Sequence, residues 1–151
     1  MSPVVGEPAP EFTLPSTSGT DVALAQLRGK STVLLAFFPL AFASTCTAEM
    51  GSFTEDVARF EGADAVILPI SVDSILTLRE FKAKERIALE LLSDFRREVC
   101  RAYGTLLEDK FFSRRAYFLI DKRGILRWSH VEAELGHRRD DDELLAQIAA
   151  L

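Results

Sequence analysis

The chain has 151 residues, of which 48% are hydrophobic, a formal net charge of −5 and a pI near 5.1. That is enough apolar material for one cored domain over residues 1–151, and the acidic balance argues against nucleic acid, whose phosphates call for clustered Lys and Arg. No apolar run approaches the roughly 18 to 20 residues that span a bilayer, and no basic segment followed by an apolar one opens the chain, so a soluble, cytoplasmic protein without membrane partners is expected. Two cysteines and two histidines without C-x-x-C or paired ligand spacing argue against a structural metal site, whereas two thiols in a reducing compartment fit redox chemistry.

In chain order, residues 1 to 9, with Pro3, Gly6 and Pro8, form an extended arm. Glu11 to Leu14 starts a short strand, Pro15 to Asp21 turns, and Val22 to Leu24 returns as the second strand of a hairpin. Leu27 to Lys30 is a further turn. Thr32 to Phe38 is an apolar run without polar alternation, which suits a strand buried on both faces, and Pro39 ends it. Beyond Cys46, Met50, Phe53, Val57 and Phe60 recur at helical spacing, so the cysteine opens a helix. Unpaired backbone N–H groups at a helix start stabilise a thiolate, the reactive form of sulfur, and this placement favours a reactive cysteine over a buried filler.

Asp64 to Ser71 is a second buried strand with Pro69 near its end, where one lost ladder hydrogen bond is tolerable. Ser71 to Ser74 caps an amphipathic helix carrying Ile75, Leu78 and Phe81. Leu89 to Leu92 is a short strand. Ser93 and Asp94 then lead into a helix from about Phe95 to Tyr103 that Gly104 terminates. Ala116 to Ile120 and Ile125 to Ser129 are strands joined by a turn at Asp121 to Gly124, and Asp140 to Glu143 opens a final helix with Leu144, Leu145, Ile148 and Leu151 on one face. Strand and helix alternate in the middle of the chain. The expected architecture is α/β, an elaborated thioredoxin-like fold: a central mixed sheet with helices on both faces and an N-terminal β-hairpin extension.

The stretch Phe38-Pro-Leu-Ala-Phe-Ala-Ser-Thr-Cys-Thr-Ala-Glu49 resembles the peroxidatic loop of the peroxiredoxins, in which proline, three residues, threonine or serine, and two residues precede the cysteine. Gly6 to Pro10 with Phe12, Pro69 to Ser74, Leu91 to Asp94 with Val99 and Ala102 to Gly104, and Arg115 before Ala116 to Asp121 are similar to further family segments, so the resemblance spans nearly the whole chain. Chain length and the Phe38 to Phe42 loop look most like the small one-cysteine alkyl hydroperoxide reductase E type, with the bacterioferritin-comigratory type next.

The resemblance implies a thiol-dependent peroxidase for hydrogen peroxide or organic hydroperoxides, without metal, haem or flavin. Cys46 would become a sulfenic acid, Pro39 would shield the sulfur from water, and Arg115 would stabilise the thiolate and the departing oxygen. Glu49, one helical turn below the cysteine, would join the arginine network or serve the helix dipole. Arg114, His130 and His137 read as surface or loop residues, and Trp128 as core or subunit contact. Ala43 stands where the family has a hydroxyl, so Ser44 or Thr45 substitutes or the reaction is slow. Cys100 is the one candidate resolving cysteine within the chain; the alternatives are resolution by Cys100, which needs Cα atoms within about 7 Å, and recycling by an external thiol such as thioredoxin, glutaredoxin or a low-molecular-weight thiol. The apolar Leu40 to Phe42 loop marks an interface or an apolar substrate groove, and its resemblance to the surface that many short peroxiredoxins bury between subunits implies a homodimer around the site. Two rivals stand beside this reading. A thioredoxin-like disulfide oxidoreductase would need a cysteine at position 49, and a peroxide sensor or chaperone-like redox protein on the same fold would have weak peroxidase activity.

Overall fold

The computed structural model describes residues 2–151, so Met1 of the expected arm lies outside the described residues. Thr32–Phe37 (β3) is buried along its whole length because it occupies the centre of a five-stranded sheet, with Ala65–Ser71 (β4) parallel on one side and Ala116–Ile120 (β8) antiparallel on the other. Leu92–Ser93 (β5) and Leu126–Val131 (β9) form the edges, giving the order β5-β4-β3-β8-β9. Thr13–Pro15 (β1) and Asp21–Ala23 (β2) make the expected N-terminal hairpin, and Leu106–Leu107 (β6) pairs with Phe112–Ser113 (β7) in a small hairpin that the sequence reading missed.

Alternation along the central strands divides the core in two. Leu34 and Ala36 of β3 and Phe38 just beyond it, with Tyr117 and Leu119 of β8, face Ser44–Gly62 (α1), Ile75–Glu85 (α2) and Asp141–Ala149 (α4). Val33, Leu35 and Phe37, with Phe118 and Ile120, face Glu98–Ala102 (α3) and the N-terminal hairpin. Helices thus cover both faces of a mixed sheet, which is the expected thioredoxin-like architecture.

Several boundaries move, each for a local reason. The helix expected from Phe95 to Tyr103 is only Glu98–Ala102, because Arg97 sits in the left-handed region (φ 65°), its Nε donating to the Phe111 carbonyl at 3.1 Å and its guanidinium lying 4.2 Å from the Phe111 ring centroid. Phe95 therefore lies outside the helix and is exposed, while Asp94 caps α3 by accepting from the backbone N–H of Val99 (3.2 Å) and Cys100 (2.7 Å). Gly104 follows with φ 72°, a conformation a side chain would strain. The strand expected at Leu89 to Leu92 is displaced to Leu92–Ser93, that expected at Ile125 to Ser129 runs on to Val131, and Leu24 opens a 3-10 turn rather than ending β2. Pro69 lies within β4, two residues from its end, as expected. It is tolerated because β5 pairs only with Ile70 and Ser71, so the missing N–H faces a stretch without a neighbouring strand. Among the described residues no helix is long and apolar enough to cross a membrane.

Candidate active site

The turn after β3 delivers Cys46 to the first turn of α1. Pro39 is buried beneath it, Phe42 takes φ 69° to reverse the chain, and Ala43 is the N-cap in extended conformation, its carbonyl accepting the Thr47 N–H at 2.8 Å. Helix α1 starts two residues earlier than expected, at Ser44, and has neither a side-chain cap nor an acidic residue in its first turn. The backbone N–H groups at this end are left to whatever occupies the adjoining space. That space is a cleft of about 230 Å³ lined by Pro39, Leu40, Ala43, Cys46, Phe112 and Leu135 among others, with Arg115 at its base.

Arg115 precedes β8 and comes from far along the chain. The antiparallel register sets Phe37 opposite Ala116 and Ala36 opposite Tyr117, so Arg115 emerges beside the end of β3, on the α1 face of the sheet. Its side chain is 1% exposed, and each of its three nitrogens donates at least one hydrogen bond. Nη2 donates to Cys46 Sγ at 3.3 Å and to the Leu135 carbonyl at 3.3 Å, Nη1 to Glu49 Oε1 at 2.8 Å, and Nε to the His137 carbonyl at 3.0 Å. The planar guanidinium holds sulfur, carboxylate and loop in fixed directions, which a lysine ammonium could not do.

Glu49 is completely buried one turn after Cys46, and burial raises its pKa against the opposing pull of Arg115 and the hydrogen bond from Tyr117. Tyr117 donates to Glu49 Oε2 at 2.5 Å and accepts the Arg139 N–H at 3.0 Å. The sequence reading missed Tyr117. The one available signal was its position two residues after Arg115 in a strand, which places both side chains on one face.

Of the other expected site residues, Ser44 is exposed and Thr45 half-buried at the rim of the cleft, and among the described residues no hydroxyl hydrogen-bonds Cys46 Sγ. Cys100 is not brought to the site. It lies fully buried on the α3 face while Cys46 lies on the α1 face, so the sheet stands between them, and neither is in a disulfide. Burial, together with the adjacent Asp94 carboxylate, pushes the Cys100 thiol well above the usual range. His137 lends only its carbonyl, while His130, on β9, stacks on Trp128 and meets Glu132 at 3.1 Å.

Sequence and structure comparisons agree with this arrangement. Residues 5–129 match the AhpC/TSA family. A putative peroxiredoxin bcp of Coxiella burnetii is 36% identical over 145 residues, covering 91% of this chain and 95% of that protein. The alkyl hydroperoxide reductase E of Mycobacterium tuberculosis is 35% identical over 149 residues, 97% of each chain. The crystal structure of the reduced 2-Cys peroxiredoxin of Plasmodium vivax superposes with a TM-score of 0.91 at 34% identity, over 98% of this chain and 82% of that one. With a family model matched over residues 5–129 and relatives and a solved structure matched over more than nine-tenths of its length, the chain belongs to the AhpC/TSA family, the peroxiredoxin thiol-dependent peroxidases.

Proposed function

We propose that Cys46 is the peroxidatic residue and that hydrogen peroxide or a small organic hydroperoxide enters the cleft above it. The thiolate attacks the terminal peroxide oxygen, an S–O bond forms as the O–O bond breaks, and the sulfur is left as sulfenic acid. The departing alkoxide or hydroxide takes a proton from water and leaves as alcohol or water. The observation that most supports this is the 3.3 Å contact between Arg115 Nη2 and Cys46 Sγ, which places a fixed positive charge where thiolate and leaving oxygen both carry negative charge. Pro39 walls the sulfur from bulk water, Glu49 fixes Arg115, and Ser44 and Thr45 line the mouth of the cleft.

An external thiol regenerates the enzyme in this reading, and Cys100 does not. Its support is the placement of Cys100 on the opposite sheet face and its raised pKa, which leaves it a protonated, inaccessible thiol. The thiol of a thioredoxin, a glutaredoxin or a small molecule condenses with the sulfenic acid, releasing water, and a second thiol then displaces Cys46 from the mixed disulfide. Such chemistry suits a reducing compartment such as the cytoplasm. Leu40 and Phe42 remain 37% and 44% exposed beside the cleft, which supports a homodimer covering that loop. Trapping with dimedone after one equivalent of peroxide, followed by mass analysis, tests the central assignment. Modification at Cys46 is expected, and modification at Cys100 with Cys46 untouched would overturn it.

A further inference from the structure

Among the described residues Glu49 is the only acid that hydrogen-bonds Arg115, and both of its oxygens are committed: Oε1 to Arg115 Nη1 at 2.8 Å and Oε2 to Tyr117 Oη at 2.5 Å. The Tyr117 hydroxyl has no choice of role. Its oxygen accepts the Arg139 N–H at 3.0 Å, so its single hydrogen is directed at Glu49. Tyr117 is fully buried, and the residue opposite it on β3 is Ala36, whose small side chain leaves room for the ring on the α1 face.

We infer that Tyr117 is a positioning residue of the peroxidatic centre: its hydroxyl keeps Glu49 ionised, and the ionised carboxylate holds Arg115 in the orientation that reaches Cys46. The inference rests on Cys46 being the reacting sulfur. The groups that act on Glu49 are Arg115 just before β8, Tyr117 on β8 and Arg138 from the segment before α4, while Cys46 on its own helix meets the same guanidinium. Of these, Arg115 and Tyr117 supply its hydrogen bonds. A protonated Glu49 would offer Arg115 a neutral oxygen in place of an anion, and the guanidinium would lose the partner that fixes Nη1. Burial already raises the Glu49 pKa and the Tyr117 hydrogen bond opposes that rise, so removing the hydroxyl extends the protonated form towards neutral pH.

The test is the pH dependence of sulfenic acid formation at Cys46, followed by stopped flow and divided by the thiolate fraction read from ultraviolet absorbance. For Tyr117→Phe the rate per thiolate is expected to fall on the order of tenfold near neutrality and to recover as pH rises, because Glu49 then ionises without help. A residue that only fills space would lower the rate by one factor at every pH or leave the profile unmoved, and either result overturns the proposal. Should Tyr117→Phe fail to fold, 3-fluorotyrosine at position 117 keeps the ring and strengthens the donor. The acid limb then moves to lower pH if the proposal holds and stays in place if it does not. Failure of the Cys46 assignment would look different, since wild-type protein would then form no dimedone adduct at Cys46.

Discussion

Ala43 is the N-cap of α1, with the extended backbone (φ −65°, ψ 145°) that a capping residue needs, yet it supplies no side-chain acceptor. The substitution Ala43→Thr therefore changes two separable quantities. As a cap, the introduced oxygen accepts the backbone N–H of Thr45 or Cys46, the second and third residues of the helix. Exchanging Ala for Thr at such a position is worth about 1 kcal/mol. For a chain of this length that is a rise in melting temperature of about 2–4 °C. The side chain of Ala43 is exposed at the cleft, so the extra atoms displace nothing. As a catalytic donor, the same hydroxyl keeps its hydrogen for the sulfur or the peroxide oxygen. Oxyanion donors are worth about a hundredfold or more when removed from an evolved site, so a donor added to an otherwise complete site should accelerate sulfenic acid formation by about ten- to a hundredfold. Thermal melting of the reduced protein and stopped-flow oxidation measure the two effects, with Ala43→Val as the β-branched control lacking a hydroxyl. A higher melting temperature without a faster reaction would refute the view that a hydroxyl is what this loop lacks. No change in either would refute the capping geometry itself.

Replacing Arg115 by Lys keeps a charge but loses the fork that joins Cys46, Glu49 and two carbonyls. Single-turnover oxidation should slow on the order of a hundredfold. Cys100→Ser should leave the rate of Cys46 oxidation unchanged and abolish no intramolecular disulfide on non-reducing gels. Asp94, Thr105 and Ser113 surround the thiol and can satisfy the replacement hydroxyl, which keeps the stability loss below about 1.5 kcal/mol in denaturant melts. Asp141, at the start of α4, has its pKa pushed up to about 6, chiefly by burial, with Asp56 adding to the rise and Ser52 opposing it. A carboxyl whose folded pKa is raised holds its proton where the unfolded chain releases it. Its contribution therefore favours the fold at low pH and turns against it as pH rises from about 4 through about 6. That shift is worth about 3 kcal/mol undiminished, and about half of that once solvent screening at the helix start is counted. Asp141→Asn should then raise the melting temperature at about pH 7.5 and not at about pH 4.5, a contrast that scanning calorimetry resolves.

Much of the fold was legible because its signals are local. The unbroken apolar run of Thr32 to Phe38, closed by Pro39, suits a strand buried on both faces, and the spacing of Met50, Phe53 and Phe60 suits one face of a helix, which puts Cys46 at a strand-to-helix junction. The elements misjudged were those ruled by particular contacts. Arg97, turned into the left-handed region against Phe111, shortens α3, and no periodicity in Phe95, Val99 and Tyr103 announces it. Pro69 was legible as a tolerated strand proline, but that its missing N–H faces the stretch β5 leaves unpaired follows only from the sheet.

The sequence alone determined a cysteine at a helix start and, through its likeness to a family, singled out the arginine that contacts it. Both follow from near neighbours in the chain or from motifs that span it. Tertiary structure decided the rest, because the face a residue occupies is set by register and by which side of the sheet its helix crosses. The pairing of β3 with β8 put Arg115 and Tyr117 on the α1 face with Glu49, 66 and 68 residues away in sequence. The crossing that leads to α3 put Cys100 on the other face, so the sheet stands between the two cysteines.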